Sequence, residues 1–474
     1  MAKNSAARNE QTLSEKRPLS LVPEPYTEDF ASEELRRRNL ERRAVEAINW
    51  GIPAVSFDRM VQATLWDAKG DFNEIVYWSG RSDWKNQTLT PNPDVIYFMP
   101  FINTRECGPM VLEIPPAEGG SITGSLYDCW QSALEDVGPA GMDKGMGGKY
   151  LILPLGYDAW IPDGYIPIAS NTWQTSALLR SIPKGGSDAD IAKAVNYAMQ
   201  IKLYPLSEAR NPSETIFVDT INAEFNAIIP YDLRFFESLN RVIQEEPWLE
   251  RDKAMIDTLK AIGIEKGKPF EPDEQTKEIL RAAACEAHSW FNARFETSFP
   301  PFYPDKKWCL VVPPEIMEAG FSFERKDHYP IDARGLLYSY AFSSVKHIGV
   351  GQFYLWSMRD QDGNFLHGRK RYKLTVPANV PVRQYWSAVV YDRGTHAFIR
   401  DLPWSSRSSL TPDLQTNKDG SVDIFIGPNA PEGFESNWIP TREDSEFEVF
   451  MRFYGPEKAL SDQSWTLPDI AELP

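Results

Sequence analysis

The chain has 474 residues, a formal net charge of −17, and 42% hydrophobic residues including 12% aromatics. This composition excludes global disorder, and it argues against nucleic acid or anionic lipid as partners, because both need a basic face. No apolar run approaches the ~20 residues of a membrane span, and the opening MAKNSAARNEQTLSEKRPL holds no apolar signal core, so a soluble cytoplasmic protein is expected.

Residues 1–32 read as a flexible tail. A β-rich domain with leading helices is expected over 33–230. Its first helical stretch, AVEAINWGIPAVSFDRMVQATL, is interrupted by Gly51 and Pro53, which predicts two helices meeting at a break. Short β-type segments follow: EIVYW, DVIYFMPFIN, MVLEIPP, SITGSLYDCW, YLILP, GYIPIAS and SALLRSI. DADIAKAVNYAMQIKLY is helical in pattern, with Asp188 or Asp190 as its cap. A helical connector is expected over 231–300, with helices at 232–262, restarted at Pro247, and at 272–297. A C-terminal β-sandwich over 301–474 is read from GLLYSYAFSSV, GQFYLWSMRD, KRYKLTVPA, RQYWSAVVYD, VDIFIGP and EFEVFMRFYG. DQDGN and NKDGS are Asp-Gly turns.

The two β regions repeat one another. VLEIPP, Trp130, KYLILPLGYDAWIPDGYIPI and ALLR find counterparts in KLTVPA, Trp386, DIFIGPNAPEGFESNWIP and VFMR. Pro115 and Pro377 are 262 positions apart, Trp130 and Trp386 are 256 apart, and Arg180 and Arg452 are 272 apart. An internal duplication is expected, with the repeated tryptophans serving core packing. The fold class is mostly β (α+β): two related β-sandwich or jelly-roll-like domains with a helical N-terminal segment and a helical connector.

TLTPNPDVIYFMPFINT, LEDVGPAGMDKGMGGKYLILPLGY and IKLYPLSEA resemble the bacterial family called domain of unknown function 1254. TVPANVPVRQYWSAVVYDRGTHAFIRDLPWSSRSS, DGSVDIFIGPNAPEGFESNWIPT and VFMRFYGPEKAL resemble its usual partner, domain of unknown function 1214. The resemblance spans about residues 40–470 and implies a two-domain, β-rich homo-oligomer; it carries no activity with it.

The densest polar constellation lies in RQYWSAVVYDRGTHAFIRDLPWSSRSS. Strand alternation puts Tyr385, Ser387 and Val389 on one face and Trp386 and Ala388 on the other. Arg400 and Arg407 offer guanidinium forks for a carboxylate or phosphate. Tyr385 or His396 is the candidate proton carrier. Lys144 is the candidate from the first domain, with its glycine-rich loop as a lid. In the competing structural role the arginines pair with Asp392, Asp401 or Glu435 and pin loops.

LEDVGPAGMDKGMGGKY lacks the order of a phosphate loop, and no GxSxG elbow or GxGxxG fingerprint is present. The five histidines share no HxH or HExxH spacing, and the four cysteines no CxxC, so no metal, no cofactor and free thiols are expected. The functional expectation is a metal-independent enzyme acting on a small anionic or carbohydrate-like metabolite. The alternative is a non-catalytic oligomeric binding or scaffold protein.

Overall fold

The computed structural model describes residues 31–320, 323, 328–343, 345–347 and 351–474; the expected tail lies outside them up to residue 30. The chain folds into a mostly β, α+β protein with strands in several sheets and a group of helices packed on one another.

Five helices matter here: α1 (Ser32–Gln62), α2 (Asp188–Ala198), α3 (Leu233–Glu245), α4 (Glu274–Thr297) and α5 (Ile331–Tyr340). The break expected at Gly51 and Pro53 does not occur, for α1 runs through both. From Ala47 to Phe57 every residue of α1 is buried, so neighbours on all sides hold the helix despite the missing proline N–H. Gly51 admits the Leu239 side chain of α3, since a Cβ there would lie 3.1 Å from it. Gly335 of α5 likewise lies against the Asn49 carbonyl of α1, where a Cβ would approach to 2.5 Å. GLLYSY, expected as a strand, is therefore helical: it is the buried partner of α1, and a run buried all round shows no period to read. The cap of α2 is Ser187, whose side chain accepts from the Asp190 N–H, rather than either aspartate.

The first half contributes eight principal strands: β1 (Ile96–Asn103), β2 (Met110–Ile114), β3 (Ile122–Asp128), β4 (Ala133–Val137), β5 (Gly148–Leu153), β6 (Tyr165–Ala169), β7 (Gln174–Ser181) and β8 (Lys202–Pro205). The second contributes β9 (Gln352–Ser357), β10 (Arg371–Val376), β11 (Val382–Asp392), β12 (Ser406–Ser408), β13 (Val422–Gly427), β14 (Trp438–Pro440), β15 (Phe447–Pro456) and β16 (Ala471–Leu473). Both halves share one strand order. Their inner sheets run β1-β7-β3-β4 and β9-β15-β11-β12, and their outer sheets run β8-β2-β5-β6 and β16-β10-β13-β14. In each outer sheet the last pair, β5–β6 or β13–β14, is parallel.

Ladder register gives an alignment of the two halves. Arg180 pairs with Thr123 across β7–β3, and Arg452 pairs with Ser387 across β15–β11. Aligned on the arginines, Trp386 matches Ile122 rather than Trp130, which follows the end of β3. Ile122 and Trp386 both face the interior of their own sandwich.

Period-2 alternation builds the layers. In β7, Ala177 and Leu179 point into the first sandwich, while Leu178 points toward the helices and the other half. In β15, Val449 and Met451 point into the second sandwich, while Phe450 and Tyr454 point toward the first half. Arg180 and Arg452 continue the latter series, so both stand on the faces by which the halves meet.

Candidate functional site

A cavity of about 540 Å³ lies where the inner sheets face each other, closed by the end of α5 and the segment after it. Its walls are largely apolar, with Met99, Leu178, Val311, Leu337, Phe342 and Phe450 among them. Arg180 from β7 and Arg452 from β15 both line it.

Behind the arginines lies a buried tyrosine network. The loop carrying Pro91 and Asn92 enters from the first half, and Asn92 Nδ2 donates to the hydroxyls of Tyr385 and Tyr454, 2.9 Å each. Tyr454 and Tyr354 hydroxyls are 3.0 Å apart, and Tyr354 donates to Gln352 Oε1. Arg452 donates through Nη2 to the Thr90 carbonyl at 2.6 Å and the Tyr391 hydroxyl at 2.7 Å, with its guanidinium 4.6 Å from the Tyr354 ring centre. Arg180 lies 5.6 Å from the centre of the Tyr97 ring.

Burial opposes the charge on each arginine, yet the phenolic oxygens of Tyr97, Tyr354 and Tyr454 face both and hold their pKa values above the usual range. Among the described residues neither guanidinium is ion-paired with a carboxylate, and the Nε of each is buried without a hydrogen-bond partner. The buried Asp94 carboxylate is engaged elsewhere, accepting from the hydroxyls of Ser406 and Ser408.

A second polar group lines the same cavity on β3, β4 and the segment after α5. Asp136, buried on β4, accepts from Ser125 Oγ at 2.7 Å and from the backbone N–H groups of Lys346 and His347. His347 Nδ1 is 2.8 Å from Asp136 Oδ2, and its side chain is about half exposed.

The five residues nominated from sequence do not gather, and none of them lines this cavity. Tyr385 is stacked on Tyr454, with ring centres 4.5 Å apart, and burial foremost pushes its hydroxyl well above the usual tyrosine pKa. His396 is buried with Nδ1 2.9 Å from Glu448 Oε1, packed against Phe295 and Tyr340. Arg400 forms an ion pair with Glu224 at the surface. Arg407 stacks on Trp404 and donates to the carbonyls of Ser406 and Glu435; burial lowers its pKa to about 10. Lys144 is exposed at a left-handed backbone position (φ 49°) in the glycine loop. Tyr385 and Ser387 do share a face away from Trp386, as alternation implies. That face meets the first half and lies behind the cavity wall.

Two β-sandwiches of one strand order, closed on a shared arginine-lined cavity, define the class of protein. Residues 72–205 match the family described as Protein of unknown function (DUF1254), and residues 351–458 match Protein of unknown function (DUF1214). The chain belongs to the proteins that pair these two domains in that order. The crystal structure of the VPA0106 protein from Vibrio parahaemolyticus is similar, with a TM-score of 0.57 at 17% identity over 92% of this chain and all of that one, which shows a common fold. An uncharacterized protein from Burkholderia cenocepacia gives a TM-score of 0.39 at 11% identity over 93% of this chain and 95% of that one. No curated protein matches the chain.

Proposed function

We propose that the chain binds a small organic anion with an apolar body, a carboxylate above all, in the cavity between its halves. The observation that carries this reading is the pair of arginines, neither ion-paired with a carboxylate among the described residues, on the wall of a cavity otherwise largely apolar. A volume of about 540 Å³ falls within the usual range for small-molecule sites. Because Arg180 and Arg452 occupy matching ladder positions, we read the halves as copies of one ancestral sandwich, and the site as the meeting of two equivalent residues. The net charge of −17 supports a small-molecule partner rather than nucleic acid or an anionic membrane. Its four free cysteines suit the cytoplasm, where we place it as a homo-oligomer.

The test is calorimetric titration with n-alkanoates from four to sixteen carbons and with benzoate, using the neutral primary amides as controls. A hydrogen bond to a charged group contributes about 1.5–3 kcal/mol, so an acid should bind about 10- to 150-fold tighter than its amide. Arg452→Met should remove that preference. Equal binding of acid and amide, or no binding by any acid in the series, refutes the reading. On the five residues nominated from sequence alone, whose partners are mostly other protein groups, the non-catalytic scaffold alternative leads.

A further inference from the structure

We infer that His347, held by Asp136, is the general base of a hydrolytic site that cleaves esters of the acids the cavity binds; this rests on the anion-binding reading above. Three features carry it. His347, Asp136, Ser125 and both arginines line one cavity. His347 is fixed through Nδ1 on a buried carboxylate, which orients the ring and stabilises the imidazolium formed when Nε2 takes a proton. Finally, strand geometry puts the carboxylate that holds the base on the same sheet face as Arg180, two strands away. Arg180 pairs with Thr123, Ser125 lies two residues further along the same face of β3, and Asp136 pairs with Ser125 on β4. Arg180 and Ser125 are diagonal neighbours with Cα atoms about 7–8 Å apart, and Asp136 stands directly opposite Ser125, so the three follow one another across one sheet face.

The chemistry balances with water as the only co-reactant. His347 Nε2 takes one proton from a water whose oxygen bonds to the ester carbonyl carbon. The carbonyl electron pair moves onto its oxygen, opposite the guanidinium groups of Arg180 and Arg452 on the cavity wall, which serve as the oxyanion stabilisers. Collapse restores the carbonyl and breaks the bond to the alkoxy group, which leaves with the proton held by His347. The products are an alcohol and an acid, and the acid ionises and stays opposite the arginines. Ser125 is not the nucleophile, because its hydroxyl donates to Asp136 rather than to the imidazole.

The experiment measures nitrophenolate release from 4-nitrophenyl butyrate, octanoate, palmitate and benzoate, alongside calorimetric binding of the four acids, for the wild type, His347→Gln and Arg452→Met. The expected result is ester turnover in the wild type, a loss of about 100-fold or more in His347→Gln, and acid affinity in that variant within about threefold of wild type. His347 is half exposed, so the glutamine variant should fold, and its retained acid binding verifies this. Acids that bind without any ester turning over, or turnover unchanged in His347→Gln, overturn the catalytic inference while sparing the binding reading. Failure of every acid to bind overturns the binding reading itself, and this inference with it.

Discussion

Asn92 is the residue whose removal most directly tests how the two halves are joined. It is fully buried; its amide donates to Tyr385 and Tyr454, and its Oδ1 accepts from the Asp94 N–H at 3.0 Å. Asn92→Ala removes three hydrogen bonds at about 1 kcal/mol net each and strands the Tyr385 hydroxyl, for a total near 4 kcal/mol. Tyr385→Phe alone removes one bond and leaves one amide N–H unpaired, at about 2 kcal/mol. In the double variant neither orphan exists and the shared bond is lost only once, so it should cost about 3 rather than 6 kcal/mol, a coupling of about 3 kcal/mol. Urea unfolding of the four proteins in the cycle provides the measurement. Additivity to within about 0.5 kcal/mol would refute the network as the tie between the halves, and it would return Tyr385 to consideration as a free functional group.

Glu246 predicts a pH dependence. Burial foremost raises its pKa to about 7, although its oxygens accept from the Trp173 and Gln174 N–H groups. Between the ordinary glutamate value and about 7 the native state holds a proton the unfolded state has lost, so stability is full below that window and falls as pH rises through it, by about 3 kcal/mol in all. Urea midpoints from pH 4 to pH 8 should show this slope, and Glu246→Gln should flatten it. Arg400→Ala, which breaks only the surface pair with Glu224, should change stability by less than about 1 kcal/mol and leave acid binding unchanged; a large loss of binding would place Arg400 in the site after all. Arg452→Met should cost about 2 kcal/mol of stability, for the hydrogen bonds to the Thr90 carbonyl and the Tyr391 hydroxyl, while reducing acid binding to the level of the amide. A collapse of the fold on that substitution would make Arg452 a structural residue.

The sheets were legible because each strand faces two different environments and so alternates. The helices α1 and α5 were not, since burial on every side erases the period and turns Pro53 and Gly51 from breakers into packing features. The candidate site was half visible. Arg180 and Arg452 stood out as repeat markers, and the parity of ALLR and VFMR puts both on the face opposite the sandwich core. What sequence reading lacked was knowledge that those two faces meet. Density of polar residues pointed instead to the segment 383–409, where arginines and hydroxyls serve mainly to hold loops. The pairing of Asp136 with His347 spans 211 positions and has no local signature.

The reach of Asn92 also sets a timetable for synthesis. Its partner Tyr454 lies 362 residues further along the chain. At 5–20 residues per second, roughly 20–70 s pass on the ribosome between the two. Once Ser181 has been added the first half has every strand of β1-β7-β3-β4, but the face bearing Tyr97, Met99 and Leu178 still lacks the second half that covers it. The nascent chain therefore spends most of its birth with a sticky surface awaiting its cover. A chaperone that shields the first half until β15 has emerged would raise the yield of folded protein more than one acting after release.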